Sequence, residues 1–427
     1  MEGSSDKGRF FLVKLFSFNT IGVSLRTLIG LISQKIVAIY LGPSGVAILG
    51  NLRNLMGLVG MFSTTGIDQG VVTLQSKFSD TPKHLKELYK TSNFYALIGS
   101  LFTAVILLFG YKDLSEFIFG TQQYDYLLLV LALGLPFMAI YNVAIAVANG
   151  KSDYKRVTFI TVFVHVAVSA GLIILVQRFD LKGALWAIVL TPLVQVISLF
   201  IFSRSQVISL IMAGIGLIKT ISRQLFIFVI MSFSAVVLSN VVDLFLRNQL
   251  ILKLSALDAG YWTSMTSVSN YYLSILAGFY SLYVLPRYAK VDTMSEFKRE
   301  VWKIFKFIIP VFLLLFVVIY LLRDVLVILL FSKEFIPMTD LFKWQLLADL
   351  IKIVAVIIAF NLIAKQMWKL FIISEIFSSL LFYILGSYLI DNIGLEGVVI
   401  AHLLRYLLYL VLIVSTAQLP FNKAHKT

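Results

Sequence analysis

Arg26 and Arg53 are the residues whose placement asks most of this chain. Each lies deep in an apolar stretch, and neither has an acid within one helical turn. A charge at the centre of a bilayer costs at least about 2.5–3.5 kcal/mol, so such a group faces a cavity or a partner. A guanidinium is a planar fork that matches phosphate oxygens in pairs. Helical periodicity sets Arg26 on a narrow stripe with Asn19, Gly22, Gly30 and Ser33. Lys35 points to another side of the same stretch, nearer its outer end. Arg53 shares a face with Gly57, Gly60 and Thr64, and Asp68 lies about 60° away.

Acids appear in other apolar stretches, again on polar faces. Ser232, Ser239, Asp243 and Arg247 share one face, and Gln345, Asp349 and Lys352 share another. Glu375 has Ser379 one turn away, and His402, Arg405, Tyr406 and Tyr409 line a single side. Buried carboxyls of this kind can bind and release a proton during a transport cycle. A structural reading competes. Asp243 and Arg247 are four apart and Asp349 and Lys352 three apart, the spacing of neutralising intrahelical pairs. Lys35 and Arg405 have stems long enough to reach headgroups. His165 reads as a satisfied core histidine, and the glycine faces around Arg26 and Arg53 also suit close helix packing. The candidate anion-binding residues are therefore Arg26, Lys35, Arg53 and Lys352. The candidate ion-coupling acids are Asp349, Asp243 and Glu375. A central cavity lined by basic groups, with some acids, would account for all of them.

The stretches that carry these residues are membrane spans. Of 427 residues 59% are hydrophobic and only 14% charged, with a mean hydropathy of +0.92. A soluble domain carries about 25% charged residues. A helix needs roughly 20 apolar residues to cross the hydrocarbon. Twelve stretches qualify, near 12–40, 45–76, 91–110, 124–149, 157–177, 182–203, 220–250, 260–289, 300–330, 338–364, 368–391 and 394–419. Barrel alternation is absent. The first stretch is too long and too charged to be a signal peptide. The fold class expected is an all-α integral membrane protein of twelve transmembrane helices, in two six-helix lobes around a central cationic cavity. The lobes are expected over 1–210 and 211–427. The tight turn Leu41-Gly42-Pro43-Ser44-Gly45 and the turn Ser255–Gly260 occupy matching places, with Gly45 and Gly260 215 residues apart. This implies parallel repeats.

Basic residues give the orientation. With the N-terminus inside, 23 Lys and Arg fall in cytoplasmic segments, 8 in outer ones and five within spans. Both termini are expected in the cytoplasm. The net charge of +14 then reflects topology and an anionic partner rather than nucleic acid. No cysteine is present and the four histidines are scattered, so no thiolate or metal cluster is expected. No nucleotide loop or catalytic triad is found, no cofactor is called for, and the chain does not read as an enzyme.

Several segments carry a family resemblance. They are Tyr40-Leu-Gly-Pro-Ser-Gly-Val46 with Asn51-Leu-Arg53, Tyr283-Val-Leu-Pro-Arg287 and Phe331-Ser-Lys-Glu-Phe335. The most specific is Asp340-Leu-Phe-Lys-Trp-Gln-Leu-Leu-Ala-Asp-Leu-Ile-Lys352, followed by Ile363-Ala-Lys365 and Ser374-Glu375. The sequence resembles the Wzx-type polysaccharide flippases, of the O-antigen and enterobacterial common antigen kind, within the multidrug/oligosaccharidyl-lipid/polysaccharide exporter superfamily. The resemblance implies two six-helix lobes forming a V-shaped cavity and alternating access in the bacterial inner membrane. It implies an undecaprenyl-pyrophosphate-linked oligosaccharide as substrate and a coupling proton or other cation. A polysaccharide polymerase and a chain-length regulator become candidate partners. The cationic lumen would map onto Arg26, Lys35, Arg53 and Lys352, the tenth-span acid onto Asp349 and the eleventh-span acid onto Glu375. A cation-coupled multidrug exporter of the same superfamily is the alternative, and a membrane enzyme acting on lipid-linked glycans stands further off.

The basic bias generates the first prediction. In this cysteine-free chain, cysteines at Ser79 and Ser295 should react only with cytoplasmic maleimide, and those at Ser115 and Asn392 only from outside. Labelling of Ser79 from the outer face would break the twelve-span topology.

Overall fold

The computed structural model describes the backbone of residues 3–365, 367–419 and 421, and their side chains except those of 3–21, 235, 277, 278, 281 and 282. Asn19, Lys7, Arg9, Lys14, Lys423, Lys426 and His425 lie outside the described side chains. The described chain is helical, with no strand. Apolar side chains project from within helices into open space, as in Phe109 at 87% exposure, Leu133 at 75% and Leu314 at 68%. Surfaces of that kind require lipid, and the chain is a multi-pass membrane protein.

Nine of the described helices are long and apolar enough to span, where the sequence suggests twelve. The difference has local causes. The first two expected spans run as one element, Gly3–Ser63, kinked at Gly42, whose φ of 60° favours glycine. Pro43 follows and supplies no amide donor to the turn. The seventh expected span is interrupted by a π-helical turn, Phe233–Val237, and the eighth by another, Tyr280–Val284. The second span also ends sooner than expected. Its helix stops at Ser63, and Thr65 and Gly66 at positive φ lead into a separate helix, Asp68–Lys77. Elsewhere caps mark the ends. Thr293 accepts from the Glu296 amide while the Glu296 carboxylate accepts from the Asp292 amide, a reciprocal arrangement close to a capping box.

The chain packs as two compact units, one of 1–40 with 51–237 and one of 41–50 with 238–427. In the first, the helix Asp125–Gly150 is central. Its buried stripe Leu128, Leu131, Leu135, Ala139, Val143 and Val147 has helical spacing, and its neighbours are Pro82–Phe119, Thr191–Met212 and Asp68–Lys77. In the second, Leu395–Thr416 packs between Phe342–Ala364 and Trp368–Ile393. Tyr406, Tyr409 and Ile413 join Ala355, Ala359 and Leu362 in its core.

The second unit includes the kink. A Cβ added at Gly260 would lie 2.0 Å from the Pro43 carbonyl oxygen. Gly260 is therefore helical, inside Ala256–Phe279, and its role is close approach to the Gly42–Pro43 turn. Ser115 is fully buried, with its hydroxyl donating to the Thr121 carbonyl, so the exposed Lys112 is the accessible reporter for that loop.

Gly260→Ala should lower thermal stability, because the clash is with backbone and overpacking costs about 1–3 kcal/mol. Gly171, where an added Cβ meets nothing within 4 Å, is the control. A Gly260→Ala melting temperature equal to that of Gly171→Ala would show that the turn yields freely.

Candidate functional site

The second unit encloses a polar cavity of about 260 Å³. Asp349 is its anchor and is fully buried. Its Oδ2 accepts from the hydroxyls of Ser269 and Tyr272 and, at 3.0 Å, from the amide of Gln345. Gln345 sits one turn before Asp349, and Ser269 and Tyr272 lie three apart on the facing helix Ala256–Phe279. Two periodic faces therefore meet on one carboxylate oxygen. The other oxygen, Oδ1, faces His402 Nε2 at 3.7 Å, and neither atom has a hydrogen-bond partner.

Charges surround this pair. Asp243, from Leu238–Lys253, interacts electrostatically with Arg247, Arg405 and Lys352. Lys352 Nζ lies 5.4 Å from the centre of the Tyr406 ring. Arg405 Nε donates to the Ser378 hydroxyl at 2.7 Å, and its guanidinium stacks over Phe382 and Tyr406. Tyr409 donates to Glu375 at 3.2 Å, and Glu375 feels Arg405 and Lys352. Four helices thus contribute three acids, Asp243, Asp349 and Glu375, and three bases, Arg247, Lys352 and Arg405. The set is balanced, and a proton or cation added beside His402 would tip it.

The sequence reading of Asp349 and Lys352 as a closed intrahelical pair gives way here. Asp349 is held by hydroxyl and amide donors, while Lys352 reaches to the aromatic ring of Tyr406. Arg405 turns inward to Ser378 rather than outward to headgroups. Arg247 is 3% exposed, donates to Thr263 at 2.8 Å and stacks on Trp262, so Asp243 is not its sole companion. The expected face of Ser232, Ser239 and Asp243 is divided by the π turn 233–237. Ser239 and Asp243 line this cavity, and Ser232 lines a groove in the first unit. His402 was not among the candidate site residues. Its spacing with Arg405, Tyr406 and Tyr409 was the available signal.

The first unit holds the other basic candidates. Arg26 is half-buried and donates from Nη1 to the Thr161 hydroxyl at 3.0 Å, with Tyr141 and His165 within electrostatic range. One turn earlier, a Cβ on Gly22 would meet Thr158 Cγ2 at 2.7 Å, so that glycine serves packing against Tyr154–Val189. His165 is exposed and does not sit in a core. Arg53 is exposed and donates from Nη1 to Gln34 Oε1 at 3.3 Å, and Lys35 is half-buried. Arg26 and Arg53 each project a cation from a span that the sequence reading placed side by side.

The family model described as "Polysaccharide biosynthesis protein" matches residues 36–340. The chain belongs to this family. Among curated relatives, the lipid III flippase of Escherichia coli K12 is 27% identical over 381 residues, which is 89% of this chain and 92% of that protein. Among solved structures, an inward-facing multidrug resistance MATE family transporter of the MOP superfamily superposes with a TM-score of 0.76 at 16% identity, covering 94% of this chain and 96% of that one. The lipid II flippase MurJ, in an inward closed conformation, gives a TM-score of 0.74 at 12% identity, over 94% and 87%. These two likenesses establish the fold, that of the MATE and MurJ transporters, and bear out the all-α membrane architecture.

The three donors on Asp349 generate a stability prediction for this family member. Tyr272→Phe removes one charge-assisted hydrogen bond, worth about 1.5–3 kcal/mol. The purified variant should melt several degrees lower. An unchanged melting temperature would mean that the Tyr272 hydroxyl does not hold the buried carboxylate.

Proposed function

We propose that this protein flips undecaprenyl-pyrophosphate-linked oligosaccharides from the cytoplasmic to the outer leaflet of a bacterial inner membrane. The observation that carries this reading is the family match together with the near full-length relation to a lipid III flippase. The likeness to multidrug transporters is one of fold alone, at 16% identity, and carries no drug specificity.

The residues supply a mechanism. A sugar pyrophosphate cannot enter hydrocarbon, because burying its charges without partners is prohibitive. Arg26 and Arg53 present fixed guanidinium donors for the pyrophosphate, with Lys35 as a further anion contact. The polyprenyl tail stays in lipid while the headgroup travels through protein by alternating access. Coupling resides in the second unit. Asp349 Oδ1 and His402 Nε2 face each other without a partner and leave room for a proton or small cation, and Asp243, Glu375 and Lys352 sense its arrival. Both termini lie in the cytoplasm, as the basic bias directs. A polysaccharide polymerase and its chain-length regulator would receive the flipped lipid.

A transport assay on reconstituted protein tests both parts. Arg26→Ala and Arg53→Ala should each abolish flipping while the protein still folds and reaches the membrane. Arg→Lys should recover only part of the activity, since the charge remains but the bidentate contact is lost. Asp349→Asn should bind lipid yet lose its response to an imposed ion gradient. Well-folded alanine variants that bind undecaprenyl-pyrophosphate oligosaccharide at wild-type affinity would remove both arginines from the pyrophosphate site. A gradient response intact in Asp349→Asn would leave Asp349 a structural role only.

A further inference from the structure

A second polar concavity lies wholly in the first unit, and neither the pyrophosphate nor the coupling reading uses it. The turn through Thr65 and Gly66, at φ of 54° and 73°, starts the helix Asp68–Lys77 at the end of the Arg53 helix. Thr64 donates to Asp68 Oδ2 at 3.0 Å, while Asp68 Oδ1 has no hydrogen-bond partner. Beside Asp68 opens a groove of about 460 Å³, within the roughly 300–1,000 Å³ usual for ligand sites.

The walls of the groove are chemically consistent. Asn142 and Asn149, two turns apart, project from Asp125–Gly150, and Gln69 and Ser232 complete the polar lining. Asn142 spends its amide on the Gly60 carbonyl at 3.3 Å and keeps its own carbonyl oxygen for other use. The side chains of Gln69, Asn149 and Ser232 make no hydrogen bond among the described residues. Gly57 and Gly60 also line the groove, and among the described residues no lysine or arginine does.

Such a lining repels phosphate. It offers one carboxylate acceptor and several amide and hydroxyl groups that both donate and accept. That inventory suits vicinal hydroxyls and acetamido groups. The position fits as well. Gly57 lies four residues from Arg53, a rise of about 6 Å, so a pyrophosphate at Arg53 would have its first sugars beside the groove.

We propose that this groove is a saccharide subsite that holds a neutral, hydroxyl- and acetamido-bearing sugar of the lipid-linked glycan. The proposal rests on the flippase reading and deepens it by assigning the glycan end. Asp68 accepts from sugar hydroxyls, Asn149 and Gln69 bond amide or hydroxyl groups, and a uronic acid is repelled by the Asp68 carboxylate.

The cysteine-free chain makes the test direct. Val72→Cys places a thiol in the groove wall, and its maleimide labelling rate in purified, full-length protein reports occupancy. Three lipids are compared: bare undecaprenyl pyrophosphate, the same lipid carrying a neutral N-acetylhexosamine disaccharide, and one carrying a hexuronic acid at the first sugar. The neutral glycan lipid should slow labelling about tenfold relative to the other two, the scale expected of one lost charge-assisted hydrogen bond. Adding Asp68→Asn or Asn149→Ala should remove that protection and leave affinity for the bare lipid unchanged. Equal protection by the bare or the uronic lipid, or protection that survives both substitutions, overturns the subsite while the flippase reading stands. If none of the three lipids binds, the flippase reading falls. Free N-acetylhexosamine oligosaccharide is then added alone: protection upholds the groove as a sugar site, and no protection overturns it.

Discussion

A carboxylate withdrawn from water inside a membrane protein must be matched donor for donor, and Asp349 is where this chain meets that demand. Three donors from two helices converge on one of its oxygens. Without them the ionised group would cost several kcal/mol or give up its charge. The same demand explains the company it keeps. Lys352, Arg405 and Arg247 offset the three acids, and each cation has an aromatic face nearby that accepts it without further charge. The second unit is therefore organised around charge neutrality. Its unfilled contact lies between Asp349 Oδ1 and His402 Nε2.

Breaks in the helices decide which side chains reach which cavity. A π-helical turn inserts an extra residue's rotation, so the faces on either side of it lose register. Between Ser232 and Ser239 this sends two hydroxyls of one expected stripe to different concavities. The boundary between the compact units falls at the same turn. The break at 64–67 does comparable work by setting Asp68 next to Asn142 and Asn149 rather than extending the Arg53 face. Where such breaks free backbone groups at membrane depth, protein must satisfy them, and the Asn142 amide on the Gly60 carbonyl is one instance.

The charges of the two units also keep different company. In the first unit Arg26 donates to the Thr161 hydroxyl and Arg53 to the Gln34 side-chain oxygen. In the second unit three acids face three bases, so the charges compensate one another.

Hydropathy and period are local properties, and whatever follows from them was legible in the sequence. The membrane class, the helical fold, the kink at Gly42–Pro43 and the polar faces 345/349/352 and 402/405/406/409 all appear there, because a 3.6-residue repeat fixes which side chains share a face before any packing occurs. The family resemblance drew on the same segments, and the family match upholds it. What the sequence could not supply was which faces meet. Arg26 finds Thr161 across 135 residues, Asp349 finds Tyr272 across 77, and His402 joins Asp349 from another helix. The π turns were equally hidden, since neither Phe233–Val237 nor Tyr280–Val284 contains a proline or glycine. Local periodicity determined the candidates; the packing of distant helices decided which became partners, because hydrogen-bond and charge matching in a low-dielectric interior depends on distances that only the folded chain sets.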